Sequence, residues 1–376
     1  DVCSSDLGSE AGAYFTVIAN PSLKWETQIS TDIALEFGLF DRLTGTIEYF
    51  KKDSKDLLFD VSQPASVGVT SIIQNIGKVT NSGVEIELDY NAFKNKDWSV
   101  SVGANATFVK NKIKNLPATM KENGYISGSK KWLEGKSIYE FWLRQWHGVD
   151  PQTGDGLYVA DVSKYNQGNI GTGDGNITQS QFDEYKKTVV TIDGKELTNS
   201  YTYAKYDFSG SSIPDVYGGF NVRVSYKNFD LAAVFSYQLG GQILDTNYAT
   251  MMSMTEFGYA QSPDLLKAWK QAGDITEVPR IDNSAAHTTN IGQSYSTRWL
   301  TSSDYLNLRS VTIGYQLPKT WLSKVMLKSA RLNLTAENLF MLKARQGLNP
   351  MANYSGVTYN EYMPSRNITL GLNVSF

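Results

Sequence analysis

The sequence predicts an all-β chain, an antiparallel transmembrane β-barrel portion of about nine strands with long extracellular loops, belonging to a larger barrel. Three observations predict it. Period-two alternation of apolar and polar residues recurs along the chain. Every second connection between alternating stretches is short and the others are long, a segregation that a soluble meander has no reason to show. On the five cleanest strands the apolar face holds no charge; a Lys or Arg there would cost about 2–4 kcal/mol at mid-bilayer.

The clearest alternation closes the chain. In residues 366–376, Ile368, Leu370, Leu372, Val374 and Phe376 share one side, and Asn367, Thr369, Gly371, Asn373 and Ser375 share the other. A strand about ten residues long suits a bilayer of roughly 30 Å. Taken in order, a first strand is expected over residues 27–39 and, after a short turn at 40–42, a second from 43 towards 58. The third, residues 83–93, sets Val84, Ile86, Leu88 and Tyr90 against Glu85, Glu87, Asp89 and Asn91. A tight turn at 94–97 leads to the fourth, residues 98–110, whose apolar face carries Trp98, Val100, Val102, Ala104, Ala106 and Phe108. After Asp215 the fifth presents Phe220, Val222, Val224 and Tyr226. It turns at Lys227 and Asn228 into the sixth, with Phe229, Leu231, Ala233, Phe235 and Tyr237. The seventh, residues 305–316, changes phase at Arg309 and Ser310, which predicts a β-bulge. The eighth covers residues 330–340, and the terminal strand is the ninth. The long connections hold about 24, 100, 65 and 25 residues. Within the third of them, residues 262–273 predict a short helix capped by Ser262 with Pro263 at its first position.

In barrels of this kind long loops face outside and short turns face the periplasm. The terminal strand then runs inward and the first strand starts outside, as expected of a fragment. Mean hydropathy of -0.32 and the absence of any run of eighteen apolar residues exclude a helical membrane protein. A net charge of -3 with no basic cluster argues against a nucleic-acid partner. Cys3 is the only cysteine, so no disulfide framework or thiolate metal site is expected. The opening DVCSSDL lacks the alternation that follows, shows no signal peptide and reads as adapter-derived sequence. Residues 1–19 are therefore expected to be an artefact or the start of an extracellular loop.

Several segments support a family. They are NPSLKWE (20–26), DRLTGTIEYFKKDSKDLL (41–58), NIGKVTNSGVEIEL (75–88), VDPQTGDGLY (149–158), IPDVYGGFNVRVSYKNFDL (213–231), YLNLRSVTIGYQLP (305–318), LNLTAENLF (332–340) and the closing GLNVSF. Together, in that order, they resemble the C-terminal part of SusC/RagA-type TonB-dependent outer-membrane transporters of Bacteroidetes. The resemblance covers nearly the whole chain after about residue 20, so residues 20–376 are expected to be barrel. It implies a complete barrel of about 22 strands, an N-terminal plug and a TonB box that engages the TonB complex. It also implies a SusD-type surface lipoprotein that acts as a lid and helps capture a glycan or peptide. Plug, TonB box and signal sequence do not occur in these residues.

Candidate contacts lie in the long loops. Trp132, Trp142, Trp146 and Tyr158 fall in one, and Trp269 and Trp299 in the next. Flat aromatic faces suit sugar rings and protein interfaces, which makes these six candidates for substrate or lid contact. The competing reading is that they pack the loops against one another. Residues 171–185 (GTGDGNITQSQFDEY) match a calcium loop only at Asp174, so a polar Gly-rich turn is preferred; Asp150, Asp155 and Asp161 leave a weak calcium possibility. No metal or other cofactor is expected. With His147 and His287 the only histidines and no hydrolase motif, no catalysis is expected either. Glu85 and Glu87 fit the wall of a wet lumen. Phe376, ending the chain on an aromatic strand, resembles the signal read by the barrel-assembly machinery. The functional reading is import across the outer membrane. The alternative is a non-transporting, surface-exposed binding or adhesion protein.

Overall fold

The structure, a computed structural model, describes residues 2–7, 10–15, 19–62, 71–75, 77–172, 175–254, 258, 260–282, 284–322 and 327–376. The main sheet contains β1 (Thr27–Leu39), β2 (Leu43–Lys55), β3 (Lys78–Lys94), β4 (Trp98–Asn115) and β5 (Val216–Tyr226). It continues through β6 (Phe229–Leu239), β7 (Tyr305–Gln316), β8 (Ser329–Glu337) and β9 (Asn367–Ser375). Each strand pairs antiparallel with the next, and the short strand Met341–Lys343 adds to β7 beyond the end of β8. Among the described residues β1 and β9 stand at the two ends of this order, so the sheet does not close. Residues Val2–Leu7 and Glu10–Phe15 form a separate hairpin.

The register explains why the alternation is so regular. Ile33 faces Tyr49, Tyr49 faces Val84 and Val84 faces Phe108, so the apolar residues of neighbouring strands share one face. The phase change in β7 is a bulge: Val234 faces Ser310 and Phe235 faces Leu308, leaving Arg309 unpaired. At the short-turn end Trp98 faces Tyr226, Tyr226 faces Phe229 and Phe229 faces Tyr315. Ring centroids of Trp98 and Tyr226 lie 4.3 Å apart, and those of Phe229 and Tyr315 lie 4.4 Å apart. An aromatic row at one end of an apolar face is what a membrane interface selects.

Among the described residues nothing covers that face. Ile33, Leu35 and Leu370 are 65%, 64% and 70% exposed. The buried clusters take no residue from the middle of the strands. Leaving one Leu or Ile in water forgoes about 1.5–3 kcal/mol, so a face this long requires an apolar medium. The opposite face brings the Phe50 ring over Gly83, where an added Cβ would run into that ring and the Phe108 carbonyl. Gly83→Val is expected to lower barrel stability by about 1–3 kcal/mol, read as an earlier denaturant midpoint for the folded form. An unchanged midpoint would show that the strands shift to clear the Phe108 carbonyl as well as the Phe50 ring.

The packed core sits in the long connections. Phe141 and Leu143 from the first loop after β4 meet Leu244, Met252 and Trp299 from the loop after β6 and Val357 from the loop after β8. Helix α1 (Gln179–Thr188) is closed by a capping box between Thr178 and Gln181 and buries Phe182 and Tyr185. A third cluster, with Val79, Ile113, Leu116 and Met120, welds this cap to the upper ends of β3 and β4.

Several expected boundaries move. β3 begins at Lys78 and β4 runs to Asn115, because the backbone ladder continues where Lys110, Lys112 and Lys114 break the apolar alternation. β2 stops at Lys55, and Leu58–Ser62 pairs instead with Ser71–Asn75. β8 stops at Glu337, where Asn338 adopts a left-handed φ of 51°. The helix expected over 262–273 is only a 3-10 turn, Pro263–Lys267, although Ser262 does cap it. Beyond it the Trp269 backbone N–H binds the Val278 carbonyl and its indole binds the Pro151 carbonyl, which draws the chain out of helix.

Candidate functional site

Strand Glu140–Arg144 pairs with Tyr206–Ser211 in the cap. Phe141 and Leu143 are fully buried in the loop core, so Trp142 and Arg144 stand on the opposite face. There Trp142 stacks on Tyr206 at 6.2 Å and meets Phe208 edge-on at 4.9 Å. Lys131 Nζ lies 4.0 Å from the Trp142 ring centre, and Lys136 Nζ 4.7 Å from that of Phe208. The Arg144 guanidinium lies 4.9 Å from Tyr201 and 4.7 Å from Tyr206. Alternating rings and cations thus form a half-buried ladder, and burial raises the Tyr206 phenol above its ordinary pKa against the pull of Arg144.

Trp146, Tyr158 and Trp299 come together on a buried seam. Trp146 meets Tyr158 edge-on at 5.1 Å, and the Arg298 guanidinium lies 4.7 Å from Trp146 and 4.3 Å from Trp299. Tyr158 donates to the Asn290 carbonyl at 2.6 Å, and the Trp299 indole donates to the Gln293 carbonyl at 2.9 Å. Burial pushes Tyr158 up to about 12 and brings Arg298 down to about 10. The other three candidates stand apart. Trp132 packs on Phe59 and donates to the Ile138 carbonyl; Trp269 donates to the Pro151 carbonyl; Trp142 belongs to the ladder.

The raised Tyr158 pKa gives the cap a pH dependence. The phenol is neutral in both states below about pH 10, and between about 10 and 12 only the unfolded chain ionises. Cap stability from this residue is therefore present below pH 10 and lost as pH rises through that window. Tyr158→Phe should flatten part of this fall and cost about 1 kcal/mol at neutral pH through the lost hydrogen bond. Protease resistance of the cap measured across the window checks both effects; identical profiles for the two proteins would contradict them.

A polar pocket of about 600 Å³ opens beside the seam, lined by Asp155, Asn199, Ser200, Arg280, His287 and Asn290 among others. Arg280 pairs with Asp155 at 3.1 Å and with Asp282 at 3.2 Å. His287 Nδ1 lies 3.8 Å from the same Asp155 oxygen, and its Nε2 lies 2.8 Å from the Arg280 carbonyl. Such a mixture of donors and acceptors suits hydroxyl- or amide-bearing ligands. Sequence reading missed Arg280 and Asn290, which belong to no local motif. Long-range pairings bring them in: Arg280 N–H to the Gly154 carbonyl, and Tyr201 N–H to Asn290 Oδ1.

The aspartates considered for calcium are engaged locally. Asp150 accepts from the Gln152 N–H and the Thr153 hydroxyl, and Asp161 accepts from Ser163 and the Lys164 N–H. Among the described residues no group of three or more His, Cys, Asp or Glu side chains is arranged to hold a metal ion. Asp174 lies outside the described residues. Phe376 is 80% exposed, one residue beyond the pairing of Ser375 with Ser329.

A family profile described as TonB dependent receptor-like, beta-barrel, matches residues 4–339. The chain belongs to the TonB-dependent receptor β-barrel family. TonB-dependent receptor P3 of Formosa agariphila is 29% identical to it over 384 residues, covering 97% of this chain and 36% of that protein. TonB-dependent receptor SusC of Bacteroides thetaiotaomicron is 24% identical over 372 residues, covering 95% of this chain and 32% of SusC. The chain thus spans about a third of the length of these relatives. The structure of the RagAB peptide transporter aligns over 100% of this chain and 38% of that chain, with a TM-score of 0.76 at 24% identity. The fold is therefore that of a TonB-dependent receptor barrel, an outer-membrane protein. Its apolar face and aromatic row have the pattern of a lipid-facing surface.

Proposed function

We propose that this chain supplies C-terminal strands and the loop cap of a TonB-dependent importer of an oligosaccharide or peptide. Residues 20–376 form its barrel portion, and residues 1–19 are either an artefact or the start of an outer loop. Long loops lie outside and short turns in the periplasm. A SusD-type lipoprotein covers the cap, and the TonB complex acts through the N-terminal part of the longer protein. The observation that carries this reading is a lipid-ready sheet whose long connections gather at one end into a cap with its own core and polar pocket.

The test is uptake by cells whose full-length protein carries Arg280→Ala with His287→Ala. Neutral oligosaccharides and peptides are supplied separately, and surface level is measured in parallel. Uptake of one class should fall about tenfold or more, the loss of one or two good polar contacts. Full uptake of every class at normal surface level contradicts the pocket's role. Uptake unchanged by deleting the whole gene contradicts import.

A further inference from the structure

The apolar face of β2, β3 and β4 ends abruptly towards the long loops. Its last apolar row is Tyr49, Val84 and Phe108. The next rows on the same face are Lys51, Ser82 and Lys110, then Asp53, Thr80 and Lys112. Lys55 faces Lys78 beyond them, and Lys114 follows at the top of β4. Asp53 bridges Lys51 and Lys78, each at 3.5 Å, and accepts from the Thr80 hydroxyl. That one carboxylate leaves most of the ammonium groups uncompensated. Among the described residues no carboxylate lies within ion-pair distance of Lys110, Lys112 or Lys136.

A groove of about 670 Å³ crosses this boundary. Tyr49, Val84 and Phe108 are on its apolar side and Lys110, Lys112 and Lys136 on its basic side, and the rest of the wall includes the carboxylates Glu140 and Asp215 and polar side chains such as Asn111 and Ser137. It lies where β4 leaves β5: the pairing of the two ends at Thr107 with Tyr217, and above it Gly135 and Lys136 bond the Ile113 backbone instead. Lys136 also reaches the ring ladder through Phe208. The groove therefore has an apolar half continuous with the lipid-facing surface and a cationic half at the level of headgroups. Three ammonium groups at that level, against two carboxylates in the wall, attract phosphate.

We propose that this groove holds a phosphate-bearing lipid of the outer leaflet, with its acyl chain on Tyr49, Val84 and Phe108 and its phosphate among Lys110, Lys112 and Lys136. The site rests on the reading that the long loops lie outside. It ties the cap to the membrane.

The test uses the full-length protein extracted from outer membranes in mild detergent, with bound lipid identified by native mass spectrometry. Wild type should retain a phosphate-bearing lipid. Lys110→Ala with Lys112→Ala and Lys136→Ala should weaken retention by about a hundredfold, roughly fivefold per lysine. The corresponding triple arginine variant should keep it, which separates lost charge from lost folding. Equal retention by the wild-type and alanine proteins overturns the proposal. So does displacement of the lipid by inorganic phosphate alone, or equal binding of a dephosphorylated lipid, because the phosphate and acyl chain would then not act together. Lys114→Cys in intact cells should react with a membrane-impermeant maleimide. Lack of labelling sinks the loop orientation; labelling without lipid sinks the lipid site alone.

Discussion

Val102→Arg should cost about 2–4 kcal/mol of barrel stability in a bilayer, whereas Ser101→Arg, one residue away, should cost under about 1 kcal/mol. Val102 lies near the middle of the apolar stretch of β4 from Trp98 to Phe108, facing Tyr90 on one side and Val222 on the other. Its side chain shares the uncovered face, and it is already 36% exposed within the chain itself. Were that face wetted by water, an arginine there would meet solvent and change little. In lipid the guanidinium must be desolvated or reach for an interface. Ser101 faces Asn91 and Arg223 on the polar side, where a cation stays hydrated. The comparison is made by denaturant unfolding of the full-length protein in vesicles. Similar losses at the two positions would mean that the faces have been assigned to the wrong media.

Removing Phe376 from the full-length protein should deplete the folded, surface-exposed form more than any loop substitution discussed above. β9 pairs with β8 along its whole length, from Asn367 opposite Glu337 to Ser375 opposite Ser329. Ile368, Leu370, Leu372 and Val374 give it four apolar side chains on one face, and Phe376 adds a fifth. In lipid each buried aromatic or aliphatic side chain contributes about 1.5–3 kcal/mol. A stability loss of that size is tolerable in a large barrel, so a collapse in assembly would mean that the terminal aromatic is recognised. The readout is the folded fraction in outer membranes together with surface labelling. Normal surface levels after deletion would leave Phe376 as one more lipid contact.

The sheet was legible because its physics is local. Alternation in residues 83–93, 98–108 and 366–376 reports which side each Cβ takes, and β7's slip at Arg309 follows from the same periodicity. The ends of strands were less legible. Lys110, Lys112 and Lys114 look like the start of a loop, yet they extend β4 on the same face as Phe108. The cap was not legible, since its partners are far apart in the chain. Nothing near Trp146 announces Arg298, and nothing near Asp155 announces Arg280. The indoles were correctly placed in the long loops, but only the three-dimensional structure separates the Trp146, Tyr158 and Trp299 seam from the Trp142 ladder.

The most direct measurement is cysteine accessibility in intact cells. Val162→Cys places a thiol in the long loop after β4, where the native side chain is 46% exposed, and Asn228→Cys places one in the two-residue turn between β5 and β6. A membrane-impermeant maleimide should label Val162→Cys at once and Asn228→Cys only after the outer membrane is opened, both against the unsubstituted protein. Immediate labelling of Asn228→Cys, with Val162→Cys protected, would contradict the outward-loop barrel.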